Sequence, residues 1–409
     1  MSLSSTFKSF LLIAFAFNLG ACSYFLPNTS PNLGGLLAEK GDTRPFETPL
    51  PVNTEPKRMA LGSMFAIGVK ADGTVWSWGD GGGGVLGTDG FKSREIPQAI
   101  PNMTDFVEVA AGNSHVLALR KDGAVWSWGN NEKGQLGYKE DGLSHYSEPL
   151  KKTLYKPYQL NAKQIPDLKD IVSIAAGSNF SLALDRQGRV WGWGSKAHIL
   201  NNVQNEKDIK KIPFVVYENK QAAKVIADSF DSAILTKEGN GLVWKYLDSN
   251  TRPPMPILLN TLMSKSDVSI ADIALSHSNI YILSRDGFAY AQGFNYNGEL
   301  GDGTFEKRKE FVKVKNIGHL TQITRSMALD NKGRLWRWGG GLYLRPNIAG
   351  GNSSKEPYPI NILTDRNINF ILRGNYGGAV GFNNGDVSLI SKKEVFTISS
   401  PEKSLWTWK

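Results

Sequence analysis

Cysteine is almost missing from this chain: 409 residues hold one, Cys22. A single thiol excludes an intramolecular disulfide framework. Histidine is scarce too, with only His115, His145, His198, His277 and His319. No two of them stand at helical or zinc-finger spacing, so no metal site is expected. The chain also lacks a Walker loop, a Rossmann glycine fingerprint and a G-x-S-x-G elbow, so neither a cofactor nor a catalytic residue is expected. Gly81–Gly84 precedes no helix, which argues against a phosphate cradle and for a flexible inter-strand loop. No long run of Lys or Arg occurs. The net charge of +9 comes from bases interspersed with acids, so no nucleic-acid partner is expected.

The apolar stretch Phe10 to Leu19 is too short to span a bilayer. Lys8 is the only charge before residue 39, and the stretch has the form of a signal-peptide core. It ends in Leu19-Gly20-Ala21-Cys22, which resembles the bacterial lipobox. That resemblance implies acylation of Cys22 (a diacylglyceryl group, then an amide-linked chain such as palmitate). Buried acyl methylenes contribute about 0.8 kcal/mol each, so such an anchor holds the protein at the membrane. Ser23 in place of Asp implies outer-membrane sorting in a Gram-negative host. The domain reading is therefore a signal peptide over 1–21, a lipidated Cys22 with a flexible tether over 22–44, and a folded body over 45–409. Pro and Gly through residues 27–56 suit a tether, and Phe46 to Val52 is a candidate strand.

What the chain has in quantity is Gly (43) and Trp (11), and both recur with a period. Residues 110–129 read A-A-G-N-S-H-V-L-A-L-R-K-D-G-A-V-W-S-W-G, with close copies over 60–79 and 175–194. Weaker copies follow, and the turn glycines are Gly73, Gly123, Gly188, Gly239, Gly287, Gly333 and Gly385. Each copy is an apolar strand, a turn with Gly at positive φ, and a returning strand. All eleven tryptophans lie in the returning strand or its echo near the C-terminus: Trp76, Trp78, Trp126, Trp128, Trp191, Trp193, Trp244, Trp336, Trp338, Trp406 and Trp408. One hairpin cannot bury these indoles, whereas a ring of sheets can. The expected fold is all-β: a single β-propeller of seven blades with about four strands each. Leu405-Trp406-Thr407-Trp408 is read as part of ring closure, with N- and C-terminal strands sharing one blade.

The units resemble repeats of the regulator of chromosome condensation family. The second copy is nearly complete: Ala110-Ala111-Gly112, His115, Asp122-Gly123, Trp128-Gly129, Asn130 and Gly134-Gln135-Leu136-Gly137. Fragments recur at Gly84–Gly87 and Gly298–Gly301. A second resemblance is to pyrroloquinoline-quinone-type repeats of an outer-membrane assembly lipoprotein, which lack the G-Q-L-G segment. The family's founder is an exchange factor for a nuclear GTPase and binds nucleosomes, partners that an exported protein would not meet. An extracellular relative that inhibits β-lactamases implies that the scaffold presents loops to other proteins.

The functional expectation is a membrane-anchored, monomeric, non-catalytic scaffold for a protein or an envelope polymer. The alternatives are a channel enzyme acting on glycans and an envelope assembly factor. The gap between Gly123 and Gly188 is 65 residues, longer than its neighbours. Tyr138, Tyr146, Tyr155 and Tyr158, with Lys151 and Lys152, are the candidate contact residues there, because rigid aromatic rings beside cations suit a protein interface. The loops around Gly81–Gly90 and Asn295–Thr304 are the alternative surface.

Overall fold

A computed structural model describes residues 41–398 except 56, 89, 140–142, 148–151, 157, 196–208, 245–255, 264–267, 277–278, 341–356, 365–367, 374–377, 383–386 and 391–394. Cys22, the apolar stretch before it and the Leu405–Trp408 echo lie outside the described residues. No described helix is long and apolar enough to cross a membrane.

The described strands pair into seven four-stranded antiparallel sheets. The first holds β1 (Met59–Leu61), β2 (Phe65–Val69), β3 (Val75–Gly79) and β4 (Arg94–Ala99). The second holds β5 (Phe106–Ala111), β6 (His115–Arg120), β7 (Val125–Asn130) and β10 (Tyr158–Gln164). Between β7 and β10 a separate hairpin is inserted, β8 (Leu143–Ser147) with β9 (Lys152–Lys156). The third holds β11 (Ile171–Ala176), β12 (Phe180–Asp185), β13 (Arg189–Ser195) and β14 (Ile209–Glu218). The fourth holds β15 (Ala222–Asp228), β16 (Asp231–Thr236), β17 (Gly241–Trp244) and β18 (Ile257–Leu258). The fifth holds β19 (Ile270–Leu275), β20 (Asn279–Ser284), β21 (Ala289–Gly293) and β22 (Arg308–Lys313). The sixth holds β23 (Leu320–Thr324), β24 (Met327–Asp330), β25 (Arg334–Arg337) and β26 (Ile360–Thr364). The seventh, β27 (Ile368–Arg373), β28 (Gly378–Phe382), β29 (Val387–Ile390) and β30 (Val395–Ile398), is described mainly by its backbone.

The first strands of consecutive sheets touch in order, and β27 returns to β1. The architecture is a single β-propeller with four-stranded blades. Among the described residues, 59–99 supply all four strands of the first sheet.

The turn glycines behave as their position requires. Gly123 has φ of 84° and lies so close to Asp170 and Ile171 that a Cβ would meet backbone at about 3.0 Å. The core lies in layers between neighbouring sheets. Val85, Leu86, Val116 and Trp128 join the first and second sheets, and Leu119, Ile165, Ile174 and Trp193 join the second and third. Met59, Trp78 and Ala379 join the first and seventh. The paired tryptophans are not equivalent, however. Trp128 and Trp193 are fully buried, whereas Trp126 and Trp191 are half-buried.

Residues 41–55 form a strap, not the strand expected over Phe46 to Val52. Gly41 N–H donates to Asn316 O at 2.7 Å, and Phe46 stacks on His319 at 4.7 Å between ring centres. Leu50 N–H donates to Arg285 O at 2.7 Å, and Asn53 N–H to Ala271 O at 2.7 Å. Further on, Val109 N–H of the second sheet donates to Lys57 O at 2.9 Å. Residues 41–44, assigned above to a flexible tether, are thus already bonded to the link after the fifth sheet.

Candidate protein-binding surface

In the first, second and fifth sheets the loop from the third to the fourth strand is held by its own side chains. In the second sheet Asn131 Oδ1 accepts Leu136 N–H at 3.0 Å, and Gln135 Oε1 accepts Lys133 N–H at 2.8 Å. Gly134 and Gly137 take φ of 74° and 81°, which permits the double reversal. In the fifth sheet Asn295 and Glu299 make the matching bonds to Leu300 and Asn297. Gly82–Gly84, expected to be flexible, is a 3-10 turn. Asp80 Oδ1 accepts Gly82 N–H at 2.8 Å, and a Cβ on Gly84 would strike Leu160.

The long insertion is a paired hairpin set ahead of the outer strand β10. Tyr146 pairs with Thr153, Ser144 with Tyr155, and Ser147 with Lys152. Tyr146, Tyr155 and Lys152 therefore sit on β8 and β9, while Lys151 lies outside the described residues. Tyr138 departs from its expected role. It is 4% exposed, packs with Leu136 and Ile165, and has Lys163 Nζ at 5.2 Å from its ring centre. The physical reason is the loop itself, whose reversal at Gly137 carries Tyr138 into the layer between the second and third sheets. Tyr158 is half-buried and meets exposed Phe91 edge-to-face at 5.8 Å. The base of the insertion thus meets the segment that follows the Gly81–Gly90 loop.

The inner strands carry polar groups that are used between sheets. A register shift precedes each of Glu108, Ser173, Lys224, Asp272 and Gln322. The Glu108 carboxylate accepts Ile174 N–H from the next sheet and Lys57 N–H from just ahead of β1. Ser173 Oγ accepts Val225 N–H at 3.3 Å, and Gln322 Oε1 accepts Ile371 N–H at 3.1 Å. Asp272 accepts the side-chain amide of Asn53. Burial pushes Glu108 up to about 7 despite Lys224 and Lys57 nearby. At the opposite end from the strap, Arg325 of the sixth sheet pairs with Asp228 of the fourth and donates to Leu275 O of the fifth at 3.1 Å.

His115, at the repeat's own histidine position, is fully buried. Its Nε2 lies 2.9 Å from Ser181 Oγ, which donates to Gln135 O at 2.8 Å. Burial lowers the imidazole to about 3, so it stays neutral. A neutral ring inside a structural network is not placed for acid–base work. Among the described residues no group of three His, Cys, Asp or Glu is placed to hold a metal ion.

One surface feature escaped the sequence reading. Phe294 (38% exposed) and Tyr296 (63%) lie in the loop after β21, with ring centres 5.6 Å apart. The signal was present: these positions correspond to Asn130 and Glu132 in the second copy.

Comparisons with known proteins agree with the fold. The family model described as regulator of chromosome condensation (RCC1) repeat matches residues 72–119 and 122–184. A second model of that repeat matches 106–135 and 171–198. The chain is 25% identical over 316 residues to the RCC1 domain-containing protein RUG3, mitochondrial, of Arabidopsis thaliana, covering 75% of this chain and 59% of that one. It is 25% identical over 289 residues to protein pim1 of Schizosaccharomyces pombe, covering 62% and 52%. The chain thus spans less than two thirds of these relatives. Among solved structures, human WBSCR16 superposes with a TM-score of 0.66 at 19% identity, covering 81% of this chain and 96% of that one. Prp20p of Saccharomyces cerevisiae, described with its binding to Gsp1p and histones, gives 0.59 at 21%, covering 76% and 79%. The chain is a β-propeller in which residues 72–198 match the RCC1 repeat.

Proposed function

We propose that this chain is an exported, lipid-anchored, seven-bladed propeller that acts as a non-catalytic scaffold for another protein. The single observation that carries the binding role is the joined surface of the first and second sheets. There Tyr158, which follows the inserted hairpin β8–β9 in the chain, contacts Phe91. The polar groups of the inner strands, by contrast, are engaged between sheets, which leaves the outer loops for recognition. Prp20p, similar in fold, is a protein-binding propeller, and that use of the scaffold supports the reading. The export reading rests on Lys8, the apolar stretch Phe10 to Leu19 and the Leu19 to Cys22 segment.

The test begins with cross-linking of intact cells to identify the partner. Residues 139–157 are then replaced by a short Gly/Ser turn, a change that folding should tolerate because closure entropy varies slowly with loop length. Loss of partner capture by a folded, hairpin-deleted chain is the expected result. Undiminished capture places the interface elsewhere and overturns the assignment.

A further inference from the structure

The outer wall of the fifth sheet carries a second surface, independent of the hairpin. Strand β22 reads R-K-E-F-V-K and is bracketed by Lys307 and Lys315. A groove of about 1300 Å3 runs along it. Arg285, Lys307, Lys309, Lys313 and Lys315 line this groove, against Asp286, Asp302 and Glu310. Arg308 also lines the groove and pairs with Asp302 at 3.0 Å, which leaves five cations against Asp286 and Glu310 in the lining. Lysine on an outer strand often serves to discourage edge pairing. Here Met263 already bridges Phe311 on that edge, so the middle of the strand is covered without their help.

The groove is not merely basic. Met263, Val268, Phe311 and Val312 contribute an apolar floor. Lys307 lies over the Phe294 ring at 4.5 Å, and Phe294 contacts Tyr296. Two exposed rings therefore extend the cationic lining into an aromatic end. A bare polyanion would satisfy the cations and leave the floor and the rings wet. A chain bearing both carboxylates and apolar side chains satisfies all three, since alternate residues of an extended segment face opposite ways. Six residues of strand correspond to about 20 Å of groove, the reach of about six extended residues.

We propose that this groove binds an extended acidic segment of a partner protein in which carboxylates alternate with apolar residues. The cations hold the carboxylates, half-buried Val312 receives an apolar side chain, and Phe294 and Tyr296 anchor one end. The proposal goes beyond the hairpin reading, and either can fail without the other.

The probe is a fluorescein-labelled peptide of repeated Asp-Val-Glu-Leu, titrated with the purified full-length chain and followed by anisotropy. Saturable binding is expected. Charge-reversed Lys309→Glu/Lys313→Glu/Lys315→Glu should weaken it by about tenfold or more, as should Phe294→Ala/Tyr296→Ala, because few charges and rings dominate such contacts. A peptide with Lys for each acid should not bind. Thermal melting checks that the variants fold; if the triple variant does not, Lys309→Glu alone and a salt titration carry the test. Absence of saturable binding overturns the proposal. So does inorganic polyphosphate binding as tightly as the peptide with no effect of the aromatic substitutions, which would mark a general anion patch.

Discussion

Trp128 and Val85 are 43 positions apart, and the indole Nε1–H of one donates to the carbonyl oxygen of the other at 2.8 Å. Val85 is the variable residue of the first sheet's G-x-L-G segment, and Trp128 is the second tryptophan of the next copy. The same bond recurs from Trp193 to Gln135 O and from Trp338 to Glu299 O, at 2.8 Å each. Only the backbone carbonyl is used, which is why Val, Gln and Glu can share the position. The G-x-L-G loop and the W-x-W strand are therefore two halves of one latch between neighbouring sheets.

Trp128→Ala should cost about 3–5 kcal/mol, the range for large buried aromatics. Trp128→Phe keeps most of the apolar contact but orphans the Val85 carbonyl, and should cost about 1–3 kcal/mol. Denaturant unfolding measures both. An alanine cost below about 1 kcal/mol would mean the indole does not hold the sheets together.

Glu108 gives a signed pH dependence. Its folded value of about 7 exceeds the ordinary 4.5 because the group is buried. The protonated form is thus favoured on folding. The contribution is fully present below pH 4.5, shrinks as pH rises and is gone above about 7, with a size of about 3 kcal/mol. Glu108→Gln should flatten the stability profile in that window. A profile unchanged by the substitution overturns the assignment.

His115 slopes the other way. Its folded value is lowered to about 3 from 6.5 by burial. Stability is present above 6.5 and is lost as pH falls through about 3, because the unfolded ring takes up a proton first. Nitrogen chemical shifts should show a neutral imidazole throughout the range in which the protein remains folded. A titration midpoint near 6.5 would show an accessible ring instead.

Cys22→Ser tests the anchor. The variant should be released from membranes by a salt wash, since no acyl chains remain to bury. Retention as an integral membrane component would refute the lipobox reading.

Much of the fold was legible because it is local and repeated. The turn glycines from Gly73 to Gly333 all take the positive φ expected of the hairpin turn. Burial of Trp128 followed from its place in the returning strand. Other features left no local trace. The strap is fixed by partners such as Asp272, 219 positions from Asn53, and His319, 274 positions from Pro45, and no periodicity in residues 41–55 signals them. Tyr138 was misread because its direction is set by a glycine-reversed loop, where strand alternation does not apply. Phe294 and Tyr296 could have been found by aligning the copies, since aromatics there replace polar loop residues.

The strap also sets a mechanical order. Tension on the chain ahead of Gly41 falls first on the Phe46–His319 stack and the bonds to Asn316 and Asp286, then on Leu50 and Asn53, and only last on Lys57 and β1. These links lie in series, so a pull must strip the strap off the fifth sheet before it loads β1. The strap therefore works as a strain relief, and the join between the first and seventh sheets is the last to bear a load applied at the N-terminal side.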